Sequence, residues 1–411
     1  MNLITKKHNL MKKLATILVV FITILSMAVM PAAQACSRLV YDSDNGPVTA
    51  RSMDWFHNPE AKLWFFEKGM ERKGGAGEQS LEWTSKYDSI VTSSYDIATV
   101  DGINEEGLVV NLLFLLETSY GQPTESDKTL SIGAWGQYVL DNYATVDDAV
   151  KGLGQDPQPF KITTVTLNQL ATSLRPGSIP DDILSIEVLP GVTMGNLPFS
   201  LHMSISDKTG NSAIVEYIKG EPIIHSKKEY DVLTNDPIFD QQLAINSYWK
   251  TLYSSLNENN IAGLFLPGTS SASDRFIRAS YYLGAMESNA EEYKEDRRSE
   301  LAAALGIIRN VSDPLGLDGQ DLGTTQWRTL ANQRNNVCKI TNDTDATYFF
   351  EYTKNPNIFW ASMKKLKDKN LSSMVFDQTT APYLSGDVSG NFQAKAPFCW
   401  DLLSPTCDND D

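Results

Sequence analysis

A cysteine stands directly after the tripeptide Ala33-Gln34-Ala35, which closes a segment where Lys6, Lys7, Lys12 and Lys13 precede an apolar run from Leu14 to Met30. A basic start, an apolar stretch and an A-x-A site make an export leader of residues 1–35, so the chain is expected to be cut before Cys36 and to be periplasmic or secreted. Cutting there puts a thiol and a free α-amine on one residue. An α-amine has a pKa of roughly 7.7–8.0, so near neutrality a fraction of it is free to take the thiol proton, and no histidine is required. Two other readings compete. An uncleaved anchor is disfavoured by the short apolar core and the well-formed cut site. A lipoprotein cysteine, acylated and therefore no nucleophile, is disfavoured by alanine where leucine is usual at position 33 and by the bulky amide of Gln34.

Without the leader about 375 residues remain, enough for one large α/β domain or two domains. They carry 31 basic and 51 acidic side chains, a net charge of −20, which argues against nucleic acid as a partner. No later apolar run reaches membrane length, so no membrane association is expected once the leader is gone. Beside Cys36 the cysteines are Cys338, Cys399 and Cys407, an odd set in which Cys399 and Cys407 are near enough in sequence to close a small loop and Cys338 is expected to stay a buried or unpaired thiol. There is no C-x-x-C, and only His57, His202 and His225 remain, in no triad pattern; neither metal nor cofactor is expected.

The elements that must position Cys36 begin beside it. Ser37 to Asp42 and Val48 to Met53 read as strands around Asp44-Asn45-Gly46, a hairpin signal. A two-residue turn there sets Cys36 across from the segment around Trp55, with Arg51 and Asp54 as neighbours of the new N-terminus. Gly107 to Leu116 is a nearly continuous apolar run, as for a strand buried on both faces. Ile132, Trp135, Val139 and Tyr143 fall at helical spacing, and Thr145 with Asp148 reads as a capping box. Leu201 to Ser206 and Ala213 to Ile218 read as a hairpin; helices are expected around 241–256, 273–286 and 299–308, and strands near 326–330, 348–352 and 358–360. Strands grouped with strands and helices with helices predict an α+β fold of antiparallel sheets between helical layers. Residues 155–198, rich in Pro, Gly and Thr, read as a long loop or insertion, and the tail 368–411 is similar in character. Trp83 and Trp135 are expected in the core.

From Cys36-Ser37-Arg38-Leu39-Val40-Tyr41 onward the chain resembles the choloylglycine hydrolase and penicillin V acylase family of N-terminal-nucleophile hydrolases. The resemblance continues collinearly to about Leu366, through Thr49-Ala50-Arg51-Ser52-Met53-Asp54-Trp55, Asp101-Gly102-Ile103-Asn104-Glu105-Glu106-Gly107-Leu108, Leu201 to Asp207, Leu233-Thr234-Asn235-Asp236-Pro237, and Leu266-Pro267-Gly268 leading to Asp274-Arg275-Phe276. It implies an αββα sandwich over residues 36–367, usually a homotetramer, hydrolysing linear N-acyl amides through an acyl-enzyme without a cofactor. Carried over residue by residue, the nucleophile falls on Cys36 and its orienting pair on Arg51 and Asp54. Asn235 and the backbone N–H of Phe114 fall on the oxyanion donors, and Arg275 on a supporting arginine. Taken alone, Arg51 with Asp54 reads as an ordinary ion pair, Thr234 to Pro237 as a turn, and Arg275 as a helix-surface charge. Met53, Trp55 and Phe114 are candidate substrate walls, with core packing as the rival. Phe114 departs from the Asn or Tyr of bile-salt-type members and, with Trp55, fits the branch found in Gram-negative bacteria. Phenoxyacetyl penicillins and N-acyl homoserine lactones are therefore favoured over conjugated bile salts. The alternative is a lipid-anchored or inactive periplasmic binding protein of the same fold.

Overall fold

The computed structural model describes residues 36–257, 265–293, 296–314, 323–333, 347–379 and 383–403. The leader, Cys338 and Cys407 lie outside the described residues; Cys399 is disulfide-bonded and Cys36 is free.

Two sheets form the centre. One runs, in spatial order, Val232–Thr234, Ser37–Tyr41, Val48–Trp55, Thr324–Asn332, Tyr348–Tyr352, Phe359–Ala361 and Gly386–Asp387, antiparallel except for the last pair. The other runs Glu221–Ser226, Ser212–Ile218, Leu201–Ser206, Val109–Phe114, Ala98–Asn104, Ser89–Ser94, Lys62–Phe66, Ser373–Phe376 and Gln393–Ala394. Their inner faces meet: Thr49 bonds Ser206 at 2.7 Å, Thr92 bonds Tyr348 at 3.0 Å, and Trp327 donates to Asp101 at 3.1 Å. Helices Ala272–Ser288 and Arg297–Asn310 cover the outer face of the first sheet, while Ile132–Asn142 and Val146–Leu153 cover that of the second. This is the αββα order expected from the grouping of the elements.

Local chemistry accounts for many of the boundaries. Ser131, Thr145 and Ser271 cap their helices by accepting the N–H of Gly133, Asp148 and Asp274. The turn after Ala98–Asn104 is folded by Asn104, whose side-chain oxygen accepts the N–H of Glu106 and Leu108 at 3.1 and 3.0 Å. It closes at Gly107, which has φ +83° and lies so close to the Gln333 carbonyl that any Cβ would collide.

Four expectations are corrected. Tyr41 pairs with Val48 and Ser37 with Ser52, so six residues, 42–47, join the first two strands and Cys36 falls opposite Met53 rather than Trp55. The longer connection holds because Arg297 binds the carbonyls of Gly46 and Pro47 at 2.7 and 3.0 Å, and Pro47 has no N–H for a tight ladder. Segment 155–198 is no open loop. It carries the helix Leu167–Ser173, closed by a capping box of Thr166 and Gln169, and a small hairpin of Glu187–Leu189 with Val192–Thr193. In the tail, Ser373–Phe376 is a strand of the second sheet, and Phe398, Trp400 and Leu402 are buried. Trp135 is core, as read, whereas Trp83 is half-buried, its indole N–H on Asp141 at 2.8 Å.

Candidate active site

Register places the nucleophile candidate. Ser37 pairs with Ser52 on one side and Thr234 on the other, so the ladder brings Cys36 between Met53 and Asn235. Cys36 is 3 % exposed. Its sulfur lies 3.8 Å from Met53 Sδ, 3.8 Å from Arg51 Nη2 and 3.5 Å from the Asp54 N–H. Burial pushes the thiol above its usual pKa, against the lowering pull of the Arg51 charge.

Arg51 and Asp54 are both at the site but do not pair with each other. Three residues apart on a strand, they project to opposite faces. Arg51 points between the sheets, donating to Asp101 at 2.6 Å and to the Leu112 carbonyl at 2.8 Å, with both ionic side chains wholly buried. Asp54 points to the helical layer, where Arg275 binds it with one guanidinium nitrogen and binds Asp313 with another. Thr325 donates to the second Asp54 oxygen at 2.5 Å. Desolvation alone would lower Arg275, but Asp54 and Asp313 together hold it above its usual pKa. Breaking such a pair typically costs about 3–5 kcal/mol, because one charge is left buried alone. Arg275 therefore anchors the helix Ala272–Ser288 to the strand beside Cys36 and is no helix-surface charge. A bulge between Thr325 and Trp327 lets Thr325 face Asp54 while Trp327 faces Met53.

Asn235 is fully buried, and neither its amide nitrogen nor its side-chain oxygen has a hydrogen-bond partner among the described residues. A buried amide left open in this way is costly and calls for an explanation. Phe114 ends its strand at an apolar cavity of about 60 Å³ that also meets Cys36, Met53, Trp55, Phe199 and Leu402. All three wall candidates thus line one cavity with the thiol. Trp55 stacks on Phe56 and Phe199 with centroids 4.3 and 5.9 Å apart and donates to Tyr95 at 3.0 Å. His57 bonds the same Tyr95 hydroxyl at 2.8 Å, and burial pushes its pKa down to about 4, so it stays neutral near pH 7. Among the described residues the hydrogen-bond partners of the Cys36 sulfur are Arg51, Met53 and Asp54; none is a histidine.

The sequence profile of linear amide C–N hydrolases of the choloylglycine hydrolase family matches residues 36–174 and 183–378. The chain belongs to this family. It is 39 % identical over 391 residues to a penicillin V acylase of Pectobacterium atrosepticum, covering 89 % of this chain and 91 % of that one. It is 26 % identical over 297 residues to a bile salt hydrolase/transferase of Clostridium perfringens, covering 67 % of this chain and 79 % of the relative. The solved structure of penicillin V acylase from Agrobacterium tumefaciens superposes with a TM-score of 0.69 at 38 % identity, over 89 % of this chain and 99 % of that one. As in those relatives, the fold is two antiparallel-rich sheets between helices, and the chain is a hydrolase of linear amides in the sense of its family.

Sequence reading gave no role to Asp101, Asp313 or Thr325. Asp101 lies in the Asp101-Gly102-Ile103 motif, but its partners Arg51 and Trp327 are distant in sequence, and only Asn111, on the neighbouring strand, is near. Asp236 was likewise read only as part of a turn. Its carboxylate accepts the Leu116 N–H at 2.8 Å, tying the Asn235 loop to the strand end that carries Phe114. Burial pushes this carboxyl up to about 7, and the nearby Glu117 charge adds to the rise. An acid whose folded pKa exceeds its unfolded value of about 3.9 stabilises fully below that value, and the contribution is lost as pH climbs through about 7. Melting temperatures compared at pH 5 and pH 8 should fall more for the wild type than for Asp236→Asn; equal declines would refute this account.

Proposed function

We propose that the chain is exported, begins in its mature form at Cys36, and hydrolyses N-acyl amides by N-terminal-nucleophile catalysis. The observation that carries this is the open, buried amide of Asn235 placed by register beside the Cys36 thiol. In the proposed reaction the α-amine of Cys36 takes the thiol proton while Arg51, 3.8 Å from the sulfur, favours the thiolate. Asp54, fixed by Arg275 and Thr325, holds the amine in place. The sulfur attacks the substrate carbonyl, and its oxyanion is met by Asn235 Nδ2 and the Phe114 N–H. The proton passes to the leaving amine, the C–N bond breaks, and water deprotonated by the α-amine then releases the acid from the thioester.

The acyl group lies against Met53, Trp55 and Phe114. The aromatic walls of this cavity match a phenoxyacetyl or medium aliphatic acyl group better than a sterol, so penicillin V and N-acyl homoserine lactones are the proposed substrates. Higher identity to the penicillin V acylase than to the bile salt relative supports the same choice. A homotetramer remains the family's expectation. The test is a hydrolysis panel over these three substrate classes with wild type and Asn235→Ala. Loss of one oxyanion donor should lower kcat by about a hundredfold or more. An effect confined to KM would make Asn235 a substrate-binding residue instead.

A further inference from the structure

The family profile ends at residue 378, yet the chain returns to the cavity beyond it. Phe398 packs edge-on against Trp64 at 5.3 Å. Trp400 donates to Thr99 at 3.2 Å, and the Arg72 guanidinium lies over its ring at 5.2 Å. Between them Cys399 is disulfide-bonded, its partner lying outside the described residues. Two residues on, the Leu402 carbonyl accepts from Ser173 at 2.7 Å, and its side chain, 5 % exposed, is part of the cavity wall. The fit at Gly133 is close: a Cβ there would stand 3.2 Å from Leu402 Cδ2. The C-terminal segment is thus strapped over the second sheet and ends with one side chain in the cavity that meets Cys36.

The cavity holds about 60 Å³, whereas a benzene ring occupies one of about 150 Å³. A ring or chain enters only if a wall gives. Met53 and Trp55 are held in a sheet ladder opposite Trp327 and Thr324, and Phe114 in one opposite Leu201. Leu402 belongs to no strand and is held by packing and one carbonyl bond. We propose that Leu402, carried by the C-terminal segment, selects the size of the acyl group this enzyme accepts. This rests on reading the cavity as the acyl pocket.

Wild type, Leu402→Val and Leu402→Ala would be compared on a series of N-acyl amides from butanoyl to dodecanoyl. Binding of the corresponding free carboxylates would be measured by calorimetry on the same proteins. Each buried methylene is worth roughly fourfold. The dodecanoyl-to-hexanoyl ratio of kcat/KM should rise about fourfold in Leu402→Val and at least tenfold in Leu402→Ala, with carboxylate Kd values shifting in parallel. Unchanged ratios in either folded variant would overturn the proposal, and the milder Leu402→Val keeps the test decisive should Leu402→Ala fail to fold. A shift in carboxylate preference without amide hydrolysis would uphold the wall and reject the hydrolase reading. Hydrolysis with no shift would do the reverse, and absence of both binding and hydrolysis would overturn both.

Discussion

Cys36→Ser is expected to lower kcat for amide hydrolysis at least about a thousandfold while moving the melting temperature by no more than about 2 °C. The thiol is the more acidic group by several pKa units, and burial would raise a serine hydroxyl in its place as it raises the thiol. Arg51 at 3.8 Å and the Asp54 N–H at 3.5 Å are placed to stabilise a sulfur anion, whereas an oxygen, shorter-bonded, sits farther from both. Stability should hold because one atom of a buried side chain is exchanged and the ion pairs around it, Arg51 with Asp101 and Arg275 with Asp54, are untouched. Steady-state kinetics and thermal melts check both halves. Turnover within tenfold of wild type would remove Cys36 as nucleophile.

A form that keeps Ala35 joined to Cys36 is expected to show no turnover and no acyl-enzyme by intact mass. In that form the Cys36 nitrogen is an amide without a basic lone pair, and the thiol, already pushed up by burial, has no histidine among its hydrogen-bond partners in the described residues. His57 does not replace it, because it is tied to Tyr95 and, with its pKa pushed down to about 4, is too weak a base for the thiol. His202 is engaged with Glu216 at 3.2 Å. The matching form started at Met-Cys36 and trimmed by methionine aminopeptidase should be fully active. Comparable hydrolysis by the uncleaved form would mean that the α-amine is not the base.

What local chemistry writes into a chain was legible. The Asp44-Asn45-Gly46 signal marked the two strands after Cys36, helical spacing marked Ile132–Asn142, and the cap at Thr145 marked where the next helix starts. The A-x-A site drew attention to Cys36, and collinear motifs reached Asn235 and Arg275. Short-range signals failed where distant groups override them. The turn at Asp44-Asn45-Gly46 reads as a two-residue hairpin, but Arg297, some 250 residues away, takes its carbonyls and opens it to six residues. The insertion and tail looked irregular because short helices and strands stabilised by packing carry little periodicity of their own.

The sequence by itself determined which residues have chemistry to offer: a cysteine directly behind an A-x-A site, an arginine and an aspartate three apart, an asparagine in a turn. Tertiary structure alone decided how they act on one another. Arg51 and Asp54 are sent to opposite faces by strand alternation and then paired to Asp101 and Arg275, the second of these 221 residues from its partner. Antiparallel register, set by backbone hydrogen bonds to strand 232–234, brings Asn235 beside Cys36. A tail with no motif of its own closes the cavity because Phe398, Trp400 and Leu402 find apolar surface that the sheets and helices leave uncovered. Such pairings depend on which surfaces meet after folding, and no local pattern in a chain encodes that meeting.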